Sequence, residues 1–282
     1  MLSFKTFALA CALAVSASCR LNQFSLLNAR AHSLPRGDGR LAVAEGARLI
    51  SEMATACSNE TLPWAADVSV RGIAASYRVN RQLRVGLWPR GSLVRIESVP
   101  QNAADSFVFL ISGGAAAPSA TLLLDNGSRV VRSERTAPLL TKLIGAPFDP
   151  YELEALLRGC YPTEVGGIPT MYGTQRLLVP FGRNGRAYYK REAANDFWRL
   201  QTLFYSNTGL EPAWRMDLFG LQGRLPRAFA ITGMAGSRVR IDIHLSNVIA
   251  ASLPPAMFEP TIPSTSRAIS LDEIDLGRLL AP

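Results

Sequence analysis

The sequence is short of the residues that most enzymes and metal sites use. Its 282 residues hold two histidines, His32 and His244, and four cysteines, Cys11, Cys19, Cys57 and Cys160. The only lysines are Lys5, Lys142 and Lys190, so the net charge of +8 is carried almost wholly by arginine. Four cysteines are too few for a disulfide scaffold. Gly at 22 and Pro at 18 are too few for a collagen-like or low-complexity chain. There is no Gly-x-Ser-x-Gly, His-Glu-x-x-His, phosphate loop or Cys-x-x-Cys. No zinc-type spacing occurs, and a Ser-His-Asp triad would have to draw on His244 alone. The expectation is a non-enzymatic chain with no catalytic residue, metal or cofactor. What is plentiful is apolar: 48% of residues are hydrophobic, which excludes a disordered polymer. The length suits one large or two small domains.

The N-terminus begins with Met1-Leu2-Ser3-Phe4-Lys5 and continues with an apolar stretch from Thr6 to Val15. A short basic start before about ten apolar residues reads as a secretory signal. The stretch falls short of the roughly 20 residues that span a bilayer. Ser16-Ala17-Ser18 then precedes Cys19, like the bacterial lipobox whose cysteine is acylated, for instance with palmitate, and becomes the first residue. The competing readings are ordinary cleavage nearby, for example after Ala17, or an uncleaved anchor holding Cys11 and Cys19. The leading division is a signal peptide over 1–18, a lipid-anchored tether over 19–39 and one domain over 40–282. Export leaves Cys57 and Cys160 in an oxidising compartment, either bonded or as two buried thiols. A bond would close a loop of about 100 residues, for which the chain-entropy model allows about 4–5 kcal/mol.

Residues 40–57 segregate apolar and charged positions at helical spacing. From Trp64 the period becomes two, in runs around Val68, Leu83, Val94, Phe107, Leu122 and Val130. This predicts a meander of about six antiparallel strands, with Asn126-Gly127 as the central pair of a type I′ turn. Two short helices follow, one from Pro138 to Gly145 and one opened by Asp149-Pro150-Tyr151-Glu152. Strands resume after Tyr172, including Phe197–Arg199, Leu203–Tyr205 and Val239–Leu245. The fold class is therefore mostly β with α: one curved antiparallel sheet of about 11–12 strands, a half-barrel, with helices on one face.

That order of elements resembles the bacterial outer-membrane lipoprotein-localisation superfamily, LolA/LolB-like, in its branch of uncharacterised lipoproteins. The likeness is carried by Val68-Ser69-Val70-Arg71-Gly72, by Leu139 to Phe148, by Leu153 to Gly159 and by Leu253-Pro254-Pro255-Ala256-Met257-Phe258. It implies helices covering an apolar concave face and a cavity for the acyl chains of a lipoprotein or lipid. The lining candidates it suggests are Trp64, Trp88, Phe107, Phe109, Phe197, Trp198, Phe204, Trp214 and Phe219, each also readable as ordinary core. It further implies a monomer, anchored through Cys19, facing the periplasm from the outer membrane, that aids transfer or retention of lipoproteins. A scaffold or sensor on the same fold, binding a protein partner, is the alternative. The family's outer-membrane receptor inserts a bulky apolar loop residue. The corresponding loop, residues 100–105, has none.

A pI near 9.7 raises the question of nucleic acid. Arg71, Arg84, Arg95, Arg129, Arg176, Arg199 and Arg240 recur singly on the polar side of different strands, and export removes the chain from nucleic acid. They read as a basic outer sheet face suited to anionic headgroups. For the anchor, Cys19→Ala is expected to move the protein from the membrane to the soluble fraction, with loss of the lipid mass. Unchanged fractionation and mass would remove the assignment.

Overall fold

The computed structural model describes Gly39 and residues 41–58, 62–74, 77–89, 92–99, 106–113, 119–134, 136–144, 150–160, 166–182, 185–194, 196–205, 214–220, 225–233 and 238–280. The signal peptide, Cys19, nearly all of the tether, the 100–105 loop, Gly145 and the Asp149 cap lie outside these residues. The described residues belong to one compact unit.

The first helix, α1 (Val43–Ser58), buries Gly46, Leu49 and Met53, one stripe at helical spacing. The first meander follows: β1 (Trp64–Ala74), β2 (Tyr77–Trp88), β3 (Leu93–Ser98), β4 (Phe107–Ser112), β5 (Ser119–Leu124) and β6 (Arg129–Ser133). Two helices come next, α2 (Thr136–Ile144) and α3 (Pro150–Leu157), with Pro138 and Pro150 in their first turns, where a missing N–H costs nothing. The second meander is β7 (Thr170–Tyr172), β8 (Arg176–Phe181), β9 (Gly185–Lys190), β10 (Arg199–Tyr205), β11 (Trp214–Phe219), β12 (Ala228–Gly233) and β13 (Arg240–Ala250). A tail with two 3₁₀ turns, a two-residue strand β14 (Arg267–Ala268) and a last short helix α4 (Leu276–Leu280) ends the described chain.

The fourteen strands among the described residues form one unclosed curved sheet, in the order β14-β6-β5-β4-β3-β2-β1-β13-β12-β11-β10-β9-β8-β7. The half-barrel class is as expected. The strand number is higher because β7 and β14 are too short to leave a periodic signal. Conversely, β10 is one strand where Phe197–Arg199 and Leu203–Tyr205 suggested two. The turn after β5 also differs: positive φ falls at Asp125 and Asn126, one residue earlier than expected, with Gly127 positive as well. The Gly127 amide closes that turn on the Leu124 carbonyl at 3.0 Å.

The two meanders join where β1 pairs antiparallel with β13, from Trp64 opposite Ala250 to Ile73 opposite Arg240. Gly72 lies on this seam with φ of 140°, and a Cβ there would overlap the Arg240 carbonyl. The inner face carries Trp64, Val68, Val85, Leu87, Val94, Phe109, Leu122, Leu203, Met216 and Ile231 in one continuous core with α1, α2 and α3.

The tail is a strap around the first half of the sheet. After β13 it crosses the outer face, where Phe258 packs edge-on to Trp88 with ring centroids 6.4 Å apart and lies over Gly86. It then pairs β14 parallel with β6 at the sheet edge. Finally it returns to the inner face, where Ile274 and Leu279 are buried. At the opposite edge, the Leu41 amide donates to the Pro169 carbonyl at 3.2 Å and the Met171 amide to the Gly39 carbonyl at 2.9 Å. Both edges are thus covered, as sheets must manage.

The covering helices are fixed at one end. Cys57, at the end of α1, is bonded to Cys160, just beyond α3, with Cα atoms 5.8 Å apart. Beside this link the buried Glu154 of α3 accepts from Ser92 Oγ at 2.7 Å and from Arg158 Nη1 at 2.6 Å. Arg158 also donates to the Cys57 carbonyl. Glu154→Ala removes one partner of a buried pair, so a loss of about 3 kcal/mol is expected in urea unfolding. Gly72→Ala is expected to destabilise by at least about 2 kcal/mol, because it combines an unfavourable φ with overlap at the seam. A wild-type midpoint for either variant would refute the corresponding contact.

Candidate functional site

Between sheet and helices lies an apolar cavity of about 160 Å³. Its floor comes from β2, β1 and β13 through Val70, Leu83 and Ile243, with Ile96, Phe107 and Phe109 at the side. Its roof is Leu140 and Leu143 of α2, Leu153 and Leu157 of α3, and Leu279 of α4. Strand alternation places these side chains: β1 residues 68, 70 and 74 face inward, while Asp67, Ser69 and Arg71 face outward. Leu83, Ile96, Phe107, Leu157 and Ile243 point inward yet are only partly buried. Inward apolar side chains in contact with open space are the signature of an unfilled hollow, since ordinary interiors leave few voids larger than a water molecule.

Among the described residues, one charged side chain lines the hollow. Arg81 of β2 donates from Nε to the Leu279 carbonyl at 3.1 Å, tying the sheet to α4. The strap is held further by Lys142 Nζ and Asp272, 3.2 Å apart, a weak tie because Asp272 is almost fully exposed. The roof is therefore anchored covalently at the Cys57–Cys160 end and by non-covalent contacts at the α4 end.

The expected aromatic residues are dispersed. Phe107 and Phe109 line the cavity. Trp64 and Trp214 fill core on the same face, Trp214 stacked on Tyr205 with centroids 6.0 Å apart. Trp88, Phe204 and Phe219 stand on the outer face, Trp88 under the strap. Phe197 and Trp198 line a separate groove of about 310 Å³ beside the disulfide, where the Arg191 guanidinium lies 4.3 Å from the Trp198 ring centre. The aliphatic lining was not singled out from sequence. Its signal was present in the period-two runs of β1, β2 and β13.

The outer face is polar and basic. Arg71, Arg84, Arg176 and Arg240 are exposed and Arg95 is drawn under the strap to Glu97 and the Met257 carbonyl, whereas Arg129 departs from the expected outer set: opposite Leu124, it has the inner-face parity of Val131 and pairs with Asp125 at 2.6 Å. Two carboxylates there are buried. Asp217 accepts from Thr202 Oγ1 at 2.8 Å and from Arg215 Nε at 2.7 Å. Burial raises the Asp242 carboxyl above the usual carboxylate range, with Arg240 and His244 pulling it partly back. Among the described residues no group of three or more His, Cys, Asp or Glu could hold a metal ion, and no helix is long and apolar enough to cross a membrane.

No family model matches the sequence, and no curated protein gives a significant match. Solved structures do. A DUF1329 family protein from Desulfovibrio piger superposes with a TM-score of 0.55 at 10% identity, over 77% of this chain and 97% of that one. A protein domain described as outer-membrane lipoprotein-sorting, from Vibrio parahaemolyticus, gives 0.52 at 12% identity over 77% and 97%. A LolA superfamily protein from Nitrosomonas europaea gives 0.52 at 12% over 76% and 98%. The chain thus has a LolA/LolB-like fold.

Asp242 binds its proton more tightly folded than unfolded, so its contribution to stability falls as pH rises through that interval. Asp242→Asn is expected to gain in thermal midpoint over the wild type as pH rises from about 4 to 7. A constant difference across that range would contradict the burial penalty.

Proposed function

We propose that this chain is an envelope lipoprotein that takes acyl chains of lipoproteins or lipids into the cavity and assists their transfer to, or retention at, the outer membrane. The observation that carries the reading is the apolar hollow whose inward side chains are incompletely buried. Each methylene moved there from water contributes about 0.8 kcal/mol, so even a few carbons of a chain bind usefully. The fold supports lipoprotein binding or sorting in general terms. The anchor at Cys19 would hold the domain at the membrane that supplies or receives the cargo, on the periplasmic side.

The size of the hollow adds a requirement. At about 160 Å³ it is close to a cavity of about 150 Å³ that accepts one benzene ring, and it is too small for a whole acyl chain. Loading therefore lifts the roof. The non-covalent ties at α4 yield before the Cys57–Cys160 link and the Glu154 contacts, which act as the hinge.

The test is displacement of a fluorescent fatty acid from the full chain by a triacylated lipopeptide. Saturable binding and displacement are expected. Ile243→Trp, which fills the hollow, is expected to weaken binding at least about tenfold, or 1.4 kcal/mol, without changing the fold by circular dichroism. Absence of binding in the well-folded wild type would favour the protein-scaffold alternative.

A further inference from the structure

The half-barrel has one end built differently from the rest. Strands β1, β2 and β13 are 11, 12 and 11 residues long, against six for β3 and β12. Pairing of β2 with β3 begins only at Leu83, so residues 77–82 of β2 run past the end of β3. On that side the end of the β1–β2 hairpin stands clear of β3, while on the other Ile73 is level with Arg240 of β13 and Thr232 of β12. The hairpin tip carries Ile73, 43% exposed, and Tyr77, 44% exposed.

Register groups cations around this tip. Ile73 lies directly opposite Arg78 on β2 and Arg240 on β13, with Arg71 two residues back on the same outer face. All three arginines are exposed. Tyr77 faces the other way, against Gly277 of α4, where a Cβ on Gly277 would come within 3.2 Å of the ring. The nearby carboxylates are Asp242, buried beside Arg240, and Asp275, whose Oδ1 also lies against Gly277. The cavity runs along the inner side of this hairpin toward its end, for Ala74, which pairs with Tyr77, and Val79 and Arg81 are among its lining residues.

We infer that the β1–β2 hairpin end docks on an anionic lipid bilayer, with Ile73 and Tyr77 in the headgroup boundary and Arg71, Arg78 and Arg240 against lipid phosphates. Exposed apolar side chains flanked by arginine have the composition of an interfacial contact, in which buried apolar area and attraction to anionic lipid add. Guanidinium groups suit phosphate oxygens because their donors form a planar fork. The proposal deepens the acyl-binding reading and rests on it for its purpose: the docked hairpin brings the cavity rim and α4 to the lipid surface, so a chain passes between them without crossing water.

The experiment uses the full chain with Cys11→Ser and Cys19→Ser, so that the only free thiol is an added one. An environment-sensitive fluorophore is attached at Ile73→Cys or, as control at the far end of the sheet, at Ile249→Cys. Vesicles of phosphatidylcholine alone are compared with vesicles containing phosphatidylglycerol. Expected is a shift of emission to shorter wavelength at position 73, only with phosphatidylglycerol, and none at 249. Arg78→Gln is expected to raise the half-saturating phosphatidylglycerol about fivefold. A position 73 that stays wet, an equal response to phosphatidylcholine, or a shift at 249 instead would overturn the proposal. Fatty-acid displacement, measured on the same protein without vesicles, tests the cavity separately, so failure of docking and failure of acyl binding are told apart.

Discussion

Everything in this architecture depends on the pairing of β1 with β13. The two meanders are each built from neighbouring strands, and neither closes a hollow alone. The seam holds them side by side, and the floor of the cavity lies across it: Val70 of β1 faces Ile243 of β13 on one side and Arg81 of β2 on the other. The close approach at Gly72, where the backbone leaves no room for a side chain, and the register shift between Ala65 and Asp67, where Asn247 has φ of 51°, set the path of the seam. Bulges of this kind sharpen twist and bend a strand.

The cavity persists because of which side chains meet there. Large rings fill space, and the inner face of the second meander is filled by Tyr189, Trp214 and Tyr205. The first meander opposes branched aliphatics to short helices of 9, 8 and 5 residues, which span the gap without filling it. The covering layer is also asymmetric. A disulfide and a buried carboxylate fix it at one end, while the other is held without a covalent link, by Arg81, by the Lys142–Asp272 and Arg267–Glu273 ion pairs and by the burial of Ile274 and Leu279.

Much of the fold was legible in sequence, and the reasons are local. Val68-Ser69-Val70-Arg71 alternates because one face packs on the core and the other carries polar side chains. Pro138 and Pro150 mark helix starts for stereochemical reasons. What was not legible is non-local. Nothing in β1 announces β13 as its partner. Glu154 reads as an ordinary surface carboxylate on a helix until Ser92 and Arg158 close over it. For the site, weighting toward aromatics found Phe107 and Phe109 but also gathered rings that are packed core or lie outside the barrel. A hollow is a deficit of volume, and the residues around a deficit are the moderately sized ones.

The wrap of the C-terminal strap has a bearing on assembly. The sheet cannot unite until β13 is available, and the last roof piece cannot seat until the segment has rounded the β6 edge. For a chain delivered N-terminus first, the greasy interior thus stays uncovered until the strap has arrived. High contact order of this sort makes folding slow. It also leaves the nascent protein, for that interval, with an apolar sheet face open to water.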